Sequence, residues 1–222
     1  MTNKTYDLKK DERYLQLLSQ SFPTIADAST EIINLQAILN LPKGTEHFLA
    51  DIHGEHEAFQ HVLKNASGNI KRKVNDLFGD TLRESEKREL CTLIYYPEQK
   101  IELVKQTETD IEDWYHIAIH RLVRICRDVS SKYTRSKVRK SLPVEFSYII
   151  QELLHESSAD KDKSDYVSAI ISTIISTGRA DDFITTICNV IKRLAIDSLH
   201  ILGDIYDRGP GAHVVMDILK NY

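Results

Sequence analysis

Two short apolar runs in this sequence stop at acidic turns, and they lie far apart in the chain. One is Glu46-His47-Phe48-Leu49-Ala50-Asp51, the other Ser198-Leu199-His200-Ile201-Leu202 before Gly203-Asp204. Each reads as a short buried strand running into a turn, and a helical pattern follows each, over Glu55–Lys64 and Ala212–Asn221. In an α/β sheet, chemistry sits at the carboxyl ends of strands. The pattern therefore predicts that Asp51 and His53 meet Asp204, Asp207 and Arg208 in space. The Asp51 and Asp204 carboxylates should come within about 6 Å of each other, the span of a shared metal.

Between the two runs the chain reads as one helix after another. The chain has only 8 Gly and 5 Pro to interrupt it. From Ile70 to Ala195 apolar residues recur at helical spacing, and no sheet strand is expected there. Asp110–Ser130 is the clearest case, with Ile111, Tyr115, Ala118, Leu122 and Cys126 on one face and a capping box at Thr109-Asp110-Ile111-Glu112. Asp165–Thr177 and Asp181–Ala195 follow the same period, as core or subunit interface, and the polar stretch Ser157–Lys163 before them reads as a linker loop. Upstream, Leu8–Ser21 and Asp27–Leu39 read as short amphipathic helices closed by Phe22-Pro23 and by Leu41-Pro42-Lys43-Gly44. The expected organisation has three parts. Residues 1–69 hold the N-terminal helices and the first strand–loop–helix unit, 70–196 a helical insertion, and 197–222 the second unit. The fold class is α/β, made mostly α by the insertion.

Composition excludes several functions. With Lys+Arg 29 against Asp+Glu 33 the net charge is −4, so no electrostatic footprint for nucleic acid exists. No apolar stretch reaches the roughly 18 residues of a membrane span, and Met1–Lys10 has no apolar core of a secretory signal. The 3 cysteines, Cys91, Cys126 and Cys188, are widely spaced with no C-x-x-C, which excludes a zinc ribbon and points to a reducing, cytoplasmic compartment.

The chemistry lies in the two turns. In Asp51-Ile52-His53-Gly54, a carboxylate and an imidazole flank one apolar residue; if the strand continues, both point the same way and can hold one divalent metal. Gly54 lets the backbone turn or approach a ligand closely. In Gly203-Asp204-Ile205-Tyr206-Asp207-Arg208-Gly209, Asp204 at a strand end can bridge two metals, the device that clamps attacking and leaving oxygens in phosphoryl displacement. Arg208 offers a planar fork for phosphate oxygens. Asp207 can hydrogen-bond a histidine and set its tautomer, or form a loop ion pair with Arg208. No Gly-rich phosphate loop occurs.

Asp-x-His followed by Gly-Asp-x-x-Asp-Arg-Gly resembles the first two blocks of the calcineurin-like metallophosphatases. The long helical gap, the wording Phe48–Glu55 and His200–Pro210, and the stretch Asp11–Leu15 through Phe22-Pro23-Thr24 resemble the class III fructose-1,6-bisphosphatases. The resemblance covers essentially the whole chain. It implies a calcineurin-like β-sandwich flanked by helices, incomplete here, and a cytoplasmic, manganese-dependent hydrolase of fructose 1,6-bisphosphate in gluconeogenesis. Asp51, His53 and Asp204 would be metal ligands, with Asp204 bridging. Asp207 and Arg208 would be catalytic, Arg208 binding phosphate and Asp207 orienting the histidine that protonates the leaving oxygen. That family pattern continues with a Gly-Asn-His block and two more metal-binding histidines, none of which this chain contains. The chain thus resembles the N-terminal third of such an enzyme, expected to be inactive alone. The alternatives are a phosphoprotein phosphatase, a dinucleotide polyphosphate hydrolase, or a non-catalytic truncated homologue whose helical block mediates association; a homo-oligomer is a separate expectation.

Three further features carry weaker signals. His116 and His120 stand one helical turn apart, a zinc-compatible spacing, but Ile117 replaces the glutamate of a zinc protease, and they read as helix-face histidines. His56 and His61 follow the first motif and read as partly exposed. Lys132–Lys140 holds five basic residues, suited to a nucleotide or metabolite effector, an acidic partner surface, or a solvated helix end.

Overall fold

The computed structural model describes residues 11–155 and 161–222. It divides into two compact units, 1–42 and 43–222.

The first unit carries α1 (Glu12–Ser21) and α2 (Ile25–Ile38), neither with a buried residue. The part of α1 expected over Leu8–Lys10 lies outside the described residues. α2 starts two residues before its expected position because Thr24 and Asp27 form a capping box. The Thr24 side chain accepts from the Asp27 N–H at 3.1 Å, and Asp27 accepts from the Thr24 N–H at 3.2 Å.

The second unit runs β1 (Glu46–Leu49), α3 (His56–Asn65), α4 (Asn69–Phe78), a 3-10 turn (Gly79–Thr81), α5 (Glu84–Tyr95), α6 (Pro97–Thr107) and α7 (Ile111–Ser130). It continues with α8 (Arg135–Ser141), α9 (Ser147–His155), α10 (Lys161–Ser176), α11 (Ala180–Ala195), β2 (Ser198–Ile201) and α12 (Ala212–Lys220). Among the described residues the protein is mostly helical, with one two-stranded parallel sheet. β1 pairs with β2 so that Glu46 faces Ser198 and Leu49 faces Ile201. Parallel strands need a long crossover, and here the helices α3 to α11 supply it. As expected, the described residues from 70 to 195 contain helix and no strand.

Three expectations need correction. The cap of α7 is Asp110 and not Thr109: the Asp110 carboxylate accepts from the Asp113 N–H at 3.0 Å. A charged acceptor one residue later captures the orphan donor and lies at the positive end of the helix dipole. The linker loop is shorter than Ser157–Lys163, because Lys161–Lys163 already belong to α10; Ser157–Asp160 lie outside the described residues. The strands are not fully buried either. His47 is buried but Phe48 is 59% exposed, since among the described residues each strand has one neighbour and the far face of the pair is bare.

Two cores hold the second unit together. The large one lies among the helices, where α7 and α11 pack along their length and contribute Ile119, Leu122, Ile125, Phe183, Ile184, Ile187 and Ile191. Truncating one such side chain to alanine costs about 2–5 kcal/mol. The small one, Ile52, Phe59, Leu63 and Val215, lies beneath the two acidic turns and packs against Leu49, Leu199, Ile201 and Ile205. The three cysteines are buried free thiols on α5, α7 and α11, and burial pushes Cys126 up to about 12. Among the described residues no helix is long and apolar enough to cross a membrane.

A buried ion pair joins the helices to the sheet. Lys132 Nζ lies 2.6 Å from Asp197 Oδ2, with both side chains largely buried. The Thr45 N–H donates to the same carboxylate at 2.7 Å, and Lys132 also donates to the Ala195 carbonyl at 3.3 Å. Burial opposes the Asp197 charge, but hydrogen bonds from Lys132, Tyr133 and the Thr45 N–H outweigh it and hold the carboxyl at about 2. Within the basic stretch 132–140, then, Lys132 is neither a solvated helix end nor a free surface charge. Exposed Lys137 approaches the other Asp197 oxygen at 3.4 Å.

Candidate metal centre

β1 ends at Leu49 and β2 at Ile201, side by side, and each chain then turns sharply. Leu202 still donates to the Leu49 carbonyl at 2.8 Å, which carries the pairing one step past the strands. Beyond that step the loops interlock. The His53 N–H donates to the Asp204 carbonyl at 2.6 Å, the Gly209 N–H donates to the His53 carbonyl at 2.6 Å, and the Gly211 N–H donates to the Gly54 carbonyl at 3.0 Å. The second turn is wrapped around the first by its backbone.

Asp51, His53 and Asp204 form a cluster in which one donor atom from each lies within 4.8 Å of the others. His53 Nε2 stands 3.5 Å from Asp51 Oδ1. Asp51 and Asp204 are exposed and His53 is half-buried, so the cluster opens to solvent. The meeting of the two motifs across the long helical stretch between them was expected from the sequence. Their local geometry was not. Asp51 and His53 do not converge by strand alternation, since the strand has already ended. Both have left-handed backbones, φ 55° and 50°, as does Asp204 at φ 54°. This region is uncommon for non-glycine residues, though Asp and His enter it more readily than most, and each such residue costs about 1–3 kcal/mol. Ile52 between the two ligand candidates is anchored in the small core, which lets the flanking polar side chains turn outward together.

The chemistry of the donor set fits a hard or borderline divalent cation: two carboxylates and one imidazole, close enough to share one ion, with room on the open side for further ligands. Asp207 Oδ1 accepts from His53 Nδ1 at 2.8 Å, and that ring N–H holds the Asp207 carboxyl below its ordinary range. Arg208 is well exposed, and its Nε lies 3.5 Å from Asp207 Oδ2, a long contact. Asp207 thus faces His53, a histidine within this chain, and only weakly Arg208.

Gly54 turns the backbone as expected, but the close approach it allows is not to a ligand. Gly54 has φ +69°, and a Cβ there would lie 2.5 Å from the Gly209 carbonyl oxygen. What approaches Gly54 closely is the other motif's backbone. Cβ atoms at Gly209 and Gly211 would collide with the His53 carbonyl and the His56 ring. The sequence reading assigned neither position a packing role, although both stand in the run Asp207-Arg208-Gly209-Pro210-Gly211, where such density of Gly and Pro signals a backbone approach.

The other histidines stay outside the cluster. His56 packs against Gly211. His61 stacks on Tyr96 and meets its hydroxyl at 2.6 Å. His116 and His120 lie on α7 with no third ligand gathered near them among the described residues; burial and then the neighbouring His116 lower His120.

Known proteins carry similar sequences. The "Fructose-1,6-bisphosphatase class 3" of Bacteroides thetaiotaomicron is 76% identical over 212 residues, 96% of this chain and 32% of the relative. The protein of the same name from Porphyromonas gingivalis W83 is 64% identical over 97% of this chain and 33% of the relative. "Fructose-1,6-bisphosphatase class 3 1" of Clostridium beijerinckii is 64% identical over 99% of this chain and 34% of the relative. The chain therefore spans about a third of the length of these curated relatives. No solved structure matches it. The family model described as Firmicute fructose-1,6-bisphosphatase matches residues 13–222, nearly all of the sequence, and the chain belongs to that family.

Proposed function

We propose that these 222 residues are the part of a fructose 1,6-bisphosphate phosphatase that supplies its first metal position. The supporting observation is the convergence of Asp51, His53 and Asp204 from two distant motifs to within 4.8 Å, in a chain of this family. Asp51, His53 and Asp204 would hold the ion, with Asp204 also facing a second one. Manganese is the ion we assign, since carboxylate and imidazole suit it. A bound divalent cation supplies Lewis acidity toward phosphoryl oxygens.

The chain's own residues have defined tasks in this reading. Asp51 and Asp204 present their carboxylates from adjacent strand ends. Arg208, exposed at the rim, reaches outward to bind the phosphate of the substrate with its planar fork. The small apolar core under the turns keeps the two strand ends in register. The wider fold would be a calcineurin-like β-sandwich. In it, 1–69 and 197–222 are two of its strand–loop–helix units and 70–196 an insertion; the bare outer face of the two-stranded sheet agrees with this. The buried free thiols fit a reducing compartment such as the cytoplasm, where gluconeogenesis would use the reaction.

The test is a chimera. These 222 residues replace the matching segment of the Bacteroides thetaiotaomicron relative, and phosphate release from fructose 1,6-bisphosphate is followed with added manganese. Activity in the chimera, lost on Asp204→Ala, is the expected result. A chimera that folds but releases phosphate only from phosphoproteins or dinucleotide polyphosphates, or one indifferent to Asp204→Ala, would overturn the reading.

A further inference from the structure

The two strands that lead to the acidic turns begin at one buried polar node. Thr45 stands just before β1 and Asp197 just before β2, and they are bonded to each other twice. The Thr45 N–H donates to the Asp197 carboxylate at 2.7 Å, and the Asp197 N–H donates to the Thr45 carbonyl at 2.8 Å. Lys132, between α7 and α8, reaches in from the helices. Its Nζ lies 2.6 Å from Asp197 Oδ2, and it donates to Thr45 Oγ1 at 3.2 Å and to the Ala195 carbonyl at 3.3 Å. The Asn69 side-chain amide, on α4, donates to that same carbonyl at 3.1 Å. The Lys132 and Asp197 side chains are only 7% and 13% exposed. A Cβ at Gly44 would lie 2.8 Å from Asp197 Cγ, so the chain entering β1 passes directly against the carboxylate.

We propose that Lys132 and Asp197 are positioning residues: the buried pair fixes the register of β1 against β2, and through it the meeting of Asp51 with Asp204 at the opposite ends of the strands. The second half of this rests on the metal-site reading above. The apolar pattern alone leaves the register open. Each strand has 4 residues, and only Leu49 of β1 and Leu199 and Ile201 of β2 pack on the small core. A slip of one residue would turn them to the other face, and the core forbids it. A slip of two keeps the same face inward, yet moves one strand by about 6.6 Å along the other. That exceeds the 4.8 Å within which Asp51, His53 and Asp204 gather their donor atoms. The interlocked turns are no substitute for a clamp, because Asp51, His53 and Asp204 all have left-handed backbones, which persist only where the surroundings over-determine them. A buried ion pair adds little net stability over apolar side chains of similar volume, and fixing register is its best-attested use.

The test removes both charges at similar volume, in Lys132→Met with Asp197→Leu. The urea midpoint should stay near that of the native chain. NMR should show loss of the contact between the Phe48 and His200 rings, which stack across the two strands at 4.5 Å, and manganese affinity should fall. Native ring contact with native manganese affinity in this variant would overturn the proposal. A covalent clamp decides the matter even if that variant fails to fold. Thr45→Cys with Asp197→Cys, made together with Lys132→Met, puts two thiols on adjacent strand starts, where backbones about 4.8 Å apart lie within disulfide reach. Oxidation should restore the ring contact and the manganese affinity that the reduced form lacks. A reduced form already native in both, or an oxidised form that fails to recover either one, would overturn the proposal. The ring contact is read without metal. A native chain that binds no manganese therefore defeats the metal-site reading, while the register claim is still decided.

Discussion

At the scale of single residues, the centre depends on backbone conformations that side chains rarely accept. Asp51, His53 and Asp204 all lie in the left-handed region, and Gly54 between the interlocked turns has φ +69° with no space for a Cβ. Gly68 offers an internal comparison, because it has φ +80° but open space around it. Gly54→Ala should therefore lose about 1 kcal/mol or more of stability from backbone strain, and also lose metal affinity as the Gly209 carbonyl is pushed away. Gly68→Ala should lose stability alone. Urea denaturation and manganese titration of both variants check this, and equal metal affinity in the two would show that the interlock does not position the ligands. The residue types of the site were legible in the sequence, because a carboxylate, an imidazole and an arginine fork announce their chemistry. The left-handed backbone was not, since nothing in Asp-Ile-His dictates a kink at both polar positions; only the contact with the distant second motif does.

At the scale of elements, local signals decided helix starts and one long-range pair decided how helices meet the sheet. The period of α7 was plain from its apolar face, but two adjacent capping candidates competed at its start. Asp110→Ala should cost about 1 kcal/mol, and Thr109→Ala close to nothing; thermal melts of the two variants distinguish them, and the reverse order would return the cap to Thr109. The strands end sooner than their apolar wording suggests because the backbone leaves the extended region just beyond them, at Asp51 and Asp204. The Lys132–Asp197 pair could not be read at all. Lys132 belongs to a basic stretch and Asp197 follows a helix end, and only the fold brings them together. The folded Asp197 carboxyl, at about 2, lies below its ordinary 3.8. Its contribution is therefore complete above the unfolded value and is lost as pH falls from about 4 toward 2, about 2 kcal/mol in all. Asp197→Asn should lower stability at neutral pH, by leaving Lys132 buried without its partner, and should flatten this acid limb. Denaturation midpoints measured across that window, with parallel slopes in both proteins, would remove the pair from the account.

At the scale of the whole molecule, the helical block and the candidate metal centre rest on separate cores. The helices bury a large one, whereas the centre stands on four buried side chains and a two-stranded sheet, an arrangement marginal in isolation. The helical block was legible as a block because apolar residues recur at helical spacing on both sides of the polar stretch 157–163. That the two strands would lack the rest of their sheet was expected from the resemblance, which makes them part of an incomplete sandwich; the strand patterns by themselves do not state how many neighbours a strand has. Three donors can hold one cation, while phosphoryl transfer by paired metals needs both ions fixed. The 222-residue chain with manganese should accordingly release no phosphate from fructose 1,6-bisphosphate at enzymatic rates. Turnover that Asp204→Ala abolishes would show that these donors suffice.

The central claim is that Asp51, His53 and Asp204 act together as one cation site. Its most direct measurement is manganese binding to the purified chain, followed by the loss of the free-ion electron paramagnetic resonance signal, beside Asp51→Ala, His53→Ala and Asp204→Ala. The account predicts one ion per chain in the native protein and a marked loss of binding in each of the three variants. No binding to the native chain, or binding that survives all three substitutions, would contradict it.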